Sequence, residues 1–232
     1  MSYTWQSMVA VAIMVLTTLA AYIKHNHSIL EGKVNRRTVS AQERSDERIK
    51  GNLQSLPPAL PSASGVPALL HEKCSLPIPN YAISNDTPEH FTRLLRHNMS
   101  SFARYPQAWL LWLALPKSRH TFSHAYFEHI EFVEGDPVCG VLRVVKSKPT
   151  YIELRLEPPP RFGAVAGLLI IRLETGTTPD SGVELITETL QWTLKGTIKD
   201  LPLSKPLPKL LHEFASANLL ISGAAFLESM RS

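Results

Sequence analysis

Residues 151–157 read YIELRLE, and this short stretch decides the fold class. Ile152, Leu154 and Leu156 alternate with polar side chains, so the apolar residues share one face and the polar residues share the other. A period of two is typical of a β-strand with one buried face. Three prolines follow at 158–160, and they end the strand because proline has no backbone N–H to donate to a sheet.

The segments around this strand carry similar signals. Strands are predicted at 138–146, 164–174 and 183–195, which are rich in branched apolar residues and are separated by turn residues. Residues 122–134 are predicted as a further strand, although 120–130 also fits a helical turn. Because the connections are short, we expect an antiparallel meander of about five strands.

Helices are predicted on both sides of the meander. A short strand at 78–84 comes first, and the sequence NDTP at 85–88 then starts a helix, with a capping side chain followed by proline in the first turn. The apolar stretch 107–115 resumes the helix after a proline. Residues 206–230 have apolar side chains at helical spacing and close the chain as a long helix. The predicted fold class is therefore α+β.

The N-terminal segment predicts a transmembrane helix. Residues 8–23 read MVAVAIMVLTTLAAYI without a charge, and with the residues before them about 20 residues of low polarity are available to span a bilayer. A cleaved signal peptide is the alternative, but residues 1–23 lack the Lys or Arg that usually begins one. A buried core helix is a third interpretation. Basic residues from Lys24 onward follow the segment, so the positive-inside tendency places the domain in the cytosol. We expect a single-pass protein of the endoplasmic reticulum.

Three domains follow from these patterns. Residues 1–23 form the anchor, residues 24–73 a polar and then Pro/Ser-rich stalk, and residues 74–232 an α+β domain of the ligand-binding type. The stalk contains LQSLPPALPSASGVP at 53–67, which cannot hold a helix or a central strand. The PxxP spacing at 58–61 could bind a protein partner.

Cysteines and glycosylation triplets bear on the compartment. Cys74 and Cys139 make no disulfide framework, and two free thiols are expected if the domain is cytosolic. Asn26, Asn85 and Asn98 each begin an acceptor triplet, which matters only in a lumenal chain. The triplets therefore leave the topology open.

The sequence lacks the motifs that are typical of several functional classes. The net charge of +4 is a mild basic excess, without a zinc knuckle or dense basic helix, so nucleic-acid binding is not expected. The chain has no GxGxxG, GxxxxGK[ST], GxSxG or HExxH pattern. His120 and His124 could bind a metal with a carboxylate, but no paired-cysteine spacing accompanies them. We therefore expect neither a cofactor nor a metal.

Two polar groups are the candidate catalytic residues. His124, Tyr126 and Glu128 lie in the densest polar stretch, where a carboxylate beside a histidine supports general acid–base chemistry. Glu153 and Arg155 share the polar face of the strand at 151–157 and could orient a ligand if that face lines a cavity. The alternative for both groups is a polar surface in contact with water.

The order of strand, helices, meander and long C-terminal helix over residues 76–230 resembles the helix-grip fold of the START and Bet v 1-like superfamily. That resemblance implies a curved sheet that wraps the last helix around an apolar cavity. An anchor, a Pro-rich stalk and a small β-rich domain also resemble small proteins of fungal secondary-metabolite clusters. Together they imply a cyclase or isomerase that acts on a hydrophobic polyketide or terpenoid without a redox cofactor. A lipid or hydrophobic-ligand carrier and an adaptor, which would bind through the stalk or the Trp109–Trp112 helix, remain the alternatives.

Overall fold

The computed structural model of the chain describes residues 30, 32–39, 43, 68–79, 81–84, 86–159, 165–175, 182–193 and 197–230. The predicted anchor, most of the predicted stalk and the triplets at Asn26 and Asn85 lie outside these residues. The third triplet lies within them. Asn98 is 1% exposed inside a helix, so the folded domain gives a glycosyltransferase no access to it.

One antiparallel sheet of seven strands is the centre of the fold. The strands are β1 (Asn35–Thr38), β2 (Ala68–Ile78), β3 (Pro137–Val138), β4 (Leu142–Lys148), β5 (Tyr151–Leu156), β6 (Ala166–Thr175) and β7 (Val183–Thr193). Their order across the sheet is β1-β2-β7-β6-β5-β4-β3. Strands β3 to β7 form the meander, and β1 and β2 extend it beyond β7. The prediction of about five strands is therefore corrected to seven.

β1 and residues 68–73 of β2 come from the part of the chain that was predicted to be the stalk, and the rest of β2 belongs to the predicted domain. β2 pairs with β7 along its whole length, from Ala68 opposite Thr193 to Ile78 opposite Val183. The strand predicted at 78–84 is therefore wrong, because β2 ends at Ile78. The sheet also begins before residue 74, where the predicted domain began. The sequence of β2 is ALLHEKCSLPI. Its charged residues and proline do not form a strand pattern, and its strand conformation depends on pairing with β7.

In the part of the chain that the structure describes, four α-helices accompany the sheet: α1 (Thr87–Phe102), α2 (Pro106–Ala114), α3 (His124–His129) and α4 (Pro206–Ser229). The strand predicted at 122–134 is wrong, because α3 occupies its centre, and the alternative of a helical turn at 120–130 is confirmed. The Ser123 side chain accepts a hydrogen bond from the Tyr126 backbone N–H at 3.2 Å and caps this short helix. Phe127, which is 1% exposed, is its main core contact. A helix this short shows too few residues for its period to be recognised in the sequence.

The helices pack against one face of the sheet, with α4 over β2 and β7 and beside α1. Leu154 of β5, Leu94 of α1 and Leu220 of α4 are 0% exposed. A void of the size of a water molecule beside any of them would expose part of its surface, so this part of the interior is filled. Leu156 and Leu169 point to the same face and are only partly buried.

Among the described helices, only α4 is long and apolar enough to cross a membrane. The core helix of a soluble protein passes the same test, and α4 packs on the sheet and on α1. Arg36 of β1 donates a hydrogen bond to the Glu213 carbonyl oxygen at 2.9 Å, which ties α4 to the edge of the sheet. These contacts identify α4 as the core helix of this domain.

Candidate functional site

The sheet separates the sequence-predicted catalytic residues into two groups. Glu153 lies on the face of β5 opposite the helices, because its neighbours Ile152 and Leu154 belong to the helix-covered core. His124 and Glu128 lie on α3, which is part of the helical layer. The two groups therefore cannot act on one substrate together.

Arg155 does not join Glu153 in a buried site. It is exposed, and it lies between Arg143 on β4 and Leu168 on β6 in the register of the sheet. Its neighbour Arg143 donates to Glu157 at 2.8 Å, so this end of the face carries an exposed ion pair.

A serine of α1 lies close to a histidine and a carboxylate of α3, and we call these three residues the triplet. His124 Nδ1 lies 3.2 Å from Ser100 Oγ of α1, and His124 Nε2 lies 3.3 Å from Glu128 Oε1. When the proton of the neutral ring is on Nε2, Nδ1 can accept the Ser100 hydroxyl proton, and Glu128 lies within ion-pair distance of the other ring nitrogen. The side chains of His124 and Glu128 are 68% and 54% exposed, so the triplet is open to solvent.

This triplet lines an open groove of about 590 Å³ between α1, α3 and the end of α4. Arg93, Arg96 and Arg104 give the groove a basic wall, and Phe127 and Phe226 add apolar surface. Arg93 and Arg104 form no ion pair with a described residue, whereas Arg96 pairs with Glu131. The volume is in the range of small-molecule sites, about 300–1,000 Å³.

His97 provides a neutral polar group beside the same groove. Its ring stacks on Phe226 with centroids 4.5 Å apart and an interplanar angle of 10°. Burial lowers the pKa of His97, and the charge of Arg104 lowers it further, so the ring is uncharged at neutral pH. Its Nε2 atom is buried and has no hydrogen-bond partner among the described residues, so a ligand could reach it only if the groove opened further.

Tyr126, the third predicted residue of α3, holds the fold together. Its hydroxyl donates to the Pro137 carbonyl oxygen at 2.7 Å, which links α3 to β3. Burial raises the pKa of this phenol, with a smaller contribution from the charge of Asp136. Because its proton is already donated, Tyr126 is a positioning residue for α3 in this structure.

The opposite face of the sheet contains a buried ionic network that the sequence did not predict. His71 Nε2 of β2 lies 2.7 Å from Glu188 Oε2 of β7, and Arg172 Nη2 of β6 lies 2.6 Å from Glu188 Oε1. These three side chains are at most 2% exposed. Beside them, the Tyr151 hydroxyl donates to Glu153 Oε1 on β5. We call these five residues the buried network.

The electrostatics of the buried network keep Glu188 charged. Desolvation by burial acts to raise the pKa of Glu188, but the hydrogen bond with His71 and the charge of Arg172 outweigh it, and the net pKa is lowered. Desolvation and the bond to Glu153 raise the pKa of Tyr151, so it stays protonated. Apolar side chains surround the network, with Leu168, Leu190 and Trp192 at 0–5% exposure.

The buried network acts as a connection between strands in this structure. Its side chains belong to β2, β5, β6 and β7, and burial leaves no room beside them for a substrate. A buried charge without its partner costs several kcal/mol of folding free energy, so a shift in the register of any of these strands would be strongly destabilising. Glu153 is therefore a structural residue in this conformation, and the groove is the candidate functional site.

Within the described residues, no group of three or more His, Cys, Asp or Glu side chains is arranged to hold a metal ion. Cys74 and Cys139 are free and buried, which confirms the expectation of two free thiols. Burial raises the pKa of both thiols, so neither is an activated nucleophile.

A comparison of the chain with protein-family models, with curated proteins and with solved structures finds no match in any of the three.

Proposed function

We propose that this protein binds a hydrophobic small molecule with an anionic group in the α1–α3 groove and transfers a proton on it. The reaction class is an isomerisation or cyclisation without a redox cofactor, as in the tailoring of a polyketide or terpenoid. The observation that carries the proposal is the Ser100–His124–Glu128 triplet beside three arginines and the half-buried Phe226.

The chemistry of the groove supports each part of this proposal. Arginine binds carboxylates and phosphates through two parallel hydrogen bonds, and Arg93 and Arg104 have no competing ion pair among the described residues. The half-buried ring of Phe226 offers apolar contact to the rest of the ligand, whereas Phe127 is 1% exposed and forms the floor beneath the groove. A histidine held by a carboxylate is the usual general acid or base near neutral pH, and Ser100 can pass the proton.

The order of β2, α1, α2, the meander and α4 is the order on which the helix-grip resemblance rests. The apolar cavity that this resemblance implies is not found beside Leu94, Leu154 and Leu220, which are 0% exposed, so the ligand site that we propose is the open groove instead. We propose that residues 8–23 anchor the chain in the endoplasmic reticulum membrane and that the domain lies in the cytosol. The domain would then be held beside the membrane, in which hydrophobic substrates are concentrated. A carrier without chemistry is the second candidate, favoured by the partly exposed Leu156 and Leu169 on the helix-facing side of the sheet.

Metabolite profiling of a strain that lacks the gene tests the proposed function. We expect one product to disappear and a compound of the same mass to accumulate, because an isomerase changes no atoms. Reintroducing the full-length gene is expected to restore the product. Accumulation of a compound of different mass would contradict the reaction class, and an unchanged profile would exclude the enzyme.

A further inference from the structure

Helix α2 presents an exposed apolar surface that the proposed reaction does not use. Trp109, Leu110, Trp112 and Leu113 are 56%, 63%, 39% and 62% exposed. Their spacing of one, three and four residues places them on one side of the helix. We call these four residues the α2 face. Exposed contiguous apolar surface containing two tryptophans indicates an interaction site.

The opposite side of α2 is attached to the core. Ala108 is 0% exposed, and Leu111 packs against the main core cluster. Prolines begin the helix at Pro106 and follow it at Pro116, and the next buried side chain is Leu115. Because α2 is held from inside, it cannot rotate to bury the α2 face against its own domain.

Two basic residues follow the α2 face directly in the chain, Lys117 and Arg119, and residues 103–120 contain no Asp or Glu. The Arg119 guanidinium lies 4.0 Å from the centroid of the Trp112 ring, so a cation borders the apolar surface directly. Lys117 and Arg119 are exposed.

From this juxtaposition we infer that the α2 face docks on the surface of an anionic phospholipid bilayer. Tryptophan rings prefer the membrane interface, where their apolar part is buried and their N–H stays hydrated. Leucines beside them enter the acyl boundary, and basic residues at the rim attract anionic head groups. The inference uses only described residues and does not depend on the predicted anchor or on the proposed reaction.

Docking in this orientation would bring the candidate groove to the lipid surface. Arg104 lines the groove and lies two residues before α2 begins. An amphipathic ligand whose head group lies at the membrane surface could then bind the arginines of the groove without leaving the membrane for the aqueous phase.

Spin labels on the full-length chain in vesicles test the docking. A nitroxide is attached at Leu110→Cys, and a second variant carries it at Ile83→Cys, which is 47% exposed. Ile83 precedes α1 and α2 follows it, and a 16-residue helix is about 24 Å long, so the two labels are well separated. Cys74 and Cys139 are at most 3% exposed and do not compete for the label.

In vesicles of phosphatidylcholine with phosphatidylserine, we expect the label at position 110 to lose collisions with an aqueous nickel complex and to keep collisions with oxygen. The label at position 83 should keep both. The loss at position 110 should shrink in phosphatidylcholine alone, in high salt, and in a variant that adds Lys117→Ser and Arg119→Ser.

Two outcomes would overturn the inference. Equal nickel collisions at positions 110 and 83 in anionic vesicles would show that the α2 face stays in water. Loss of both nickel and oxygen collisions at position 110 would show that protein, such as a second copy of the chain, covers the face.

Discussion

Replacing Arg172 with methionine is expected to lower the free energy of unfolding by about 3–5 kcal/mol, the cost of removing one partner from a buried ion pair. Among the described residues, Glu188 would keep its hydrogen bond to His71 at 1% exposure but lose its guanidinium partner, and a carboxylate in that position cannot recover its hydration. Urea unfolding of the full-length chain, followed by circular dichroism, measures the change.

Arg143→Met is the matched control. Its ion pair with Glu157 joins side chains that are 48% and 40% exposed, so we expect a loss of about 0–1 kcal/mol. A loss from Arg172→Met as small as that of the control would mean that water reaches the buried network, and the network would then be a candidate site. The double variant Arg172→Met with Glu188→Leu should recover stability, because it leaves no unpaired charge at Glu188.

Replacing His124 with glutamine is expected to lower the rate of the proposed reaction by about 10²–10⁴-fold, the usual contribution of a general acid or base. Glutamine keeps hydrogen-bonding capacity towards Ser100 and Glu128 but cannot accept and release a proton at neutral pH. The rate is measured in membranes that carry the full-length variant, with the compound that accumulates in the deletion strain as substrate.

His129→Gln is the control for this variant. His129 lies on α3 and is exposed, but it does not line the groove, so its replacement should leave the rate unchanged. Ser100→Ala should reduce the rate if the proton passes through the hydroxyl. Equal rates for wild-type protein and His124→Gln would remove the triplet from the mechanism while leaving ligand binding by the arginines open.

The meander and the terminal helix were accessible to sequence reasoning because their signals are local. Alternation at 151–157 predicted β5, which spans Tyr151–Leu156, and the prediction of 206–230 matches α4 within one residue. β1 and β2 were missed because their strand character depends on pairing with residues more than 30 positions away. At α3 the strand was preferred to the helical turn that proved correct, because one buried phenylalanine in six residues gives no period.

The candidate site was found only in part for the same reason. His124 and Glu128 are four residues apart, so a pattern search brings them together. Ser100 appeared in the sequence only as the third residue of a glycosylation triplet, although it lies 3.2 Å from His124. His71 lay in the assigned stalk, and the fold brings it to Glu188 from 117 residues away. Such contacts follow from sheet order, which local patterns do not encode.

Photocrosslinking with a diazirine-bearing farnesyl phosphate shows whether an anionic hydrophobic ligand binds in the groove. The full-length chain in detergent is irradiated with the probe, and the modified residues are mapped by mass spectrometry. The account predicts adducts at the groove, between Arg93 and Arg104 and at Phe226, that farnesyl phosphate displaces more effectively than farnesol. Adducts confined to other surfaces, or equal displacement by the alcohol, would contradict binding of an anionic hydrophobic ligand in this groove.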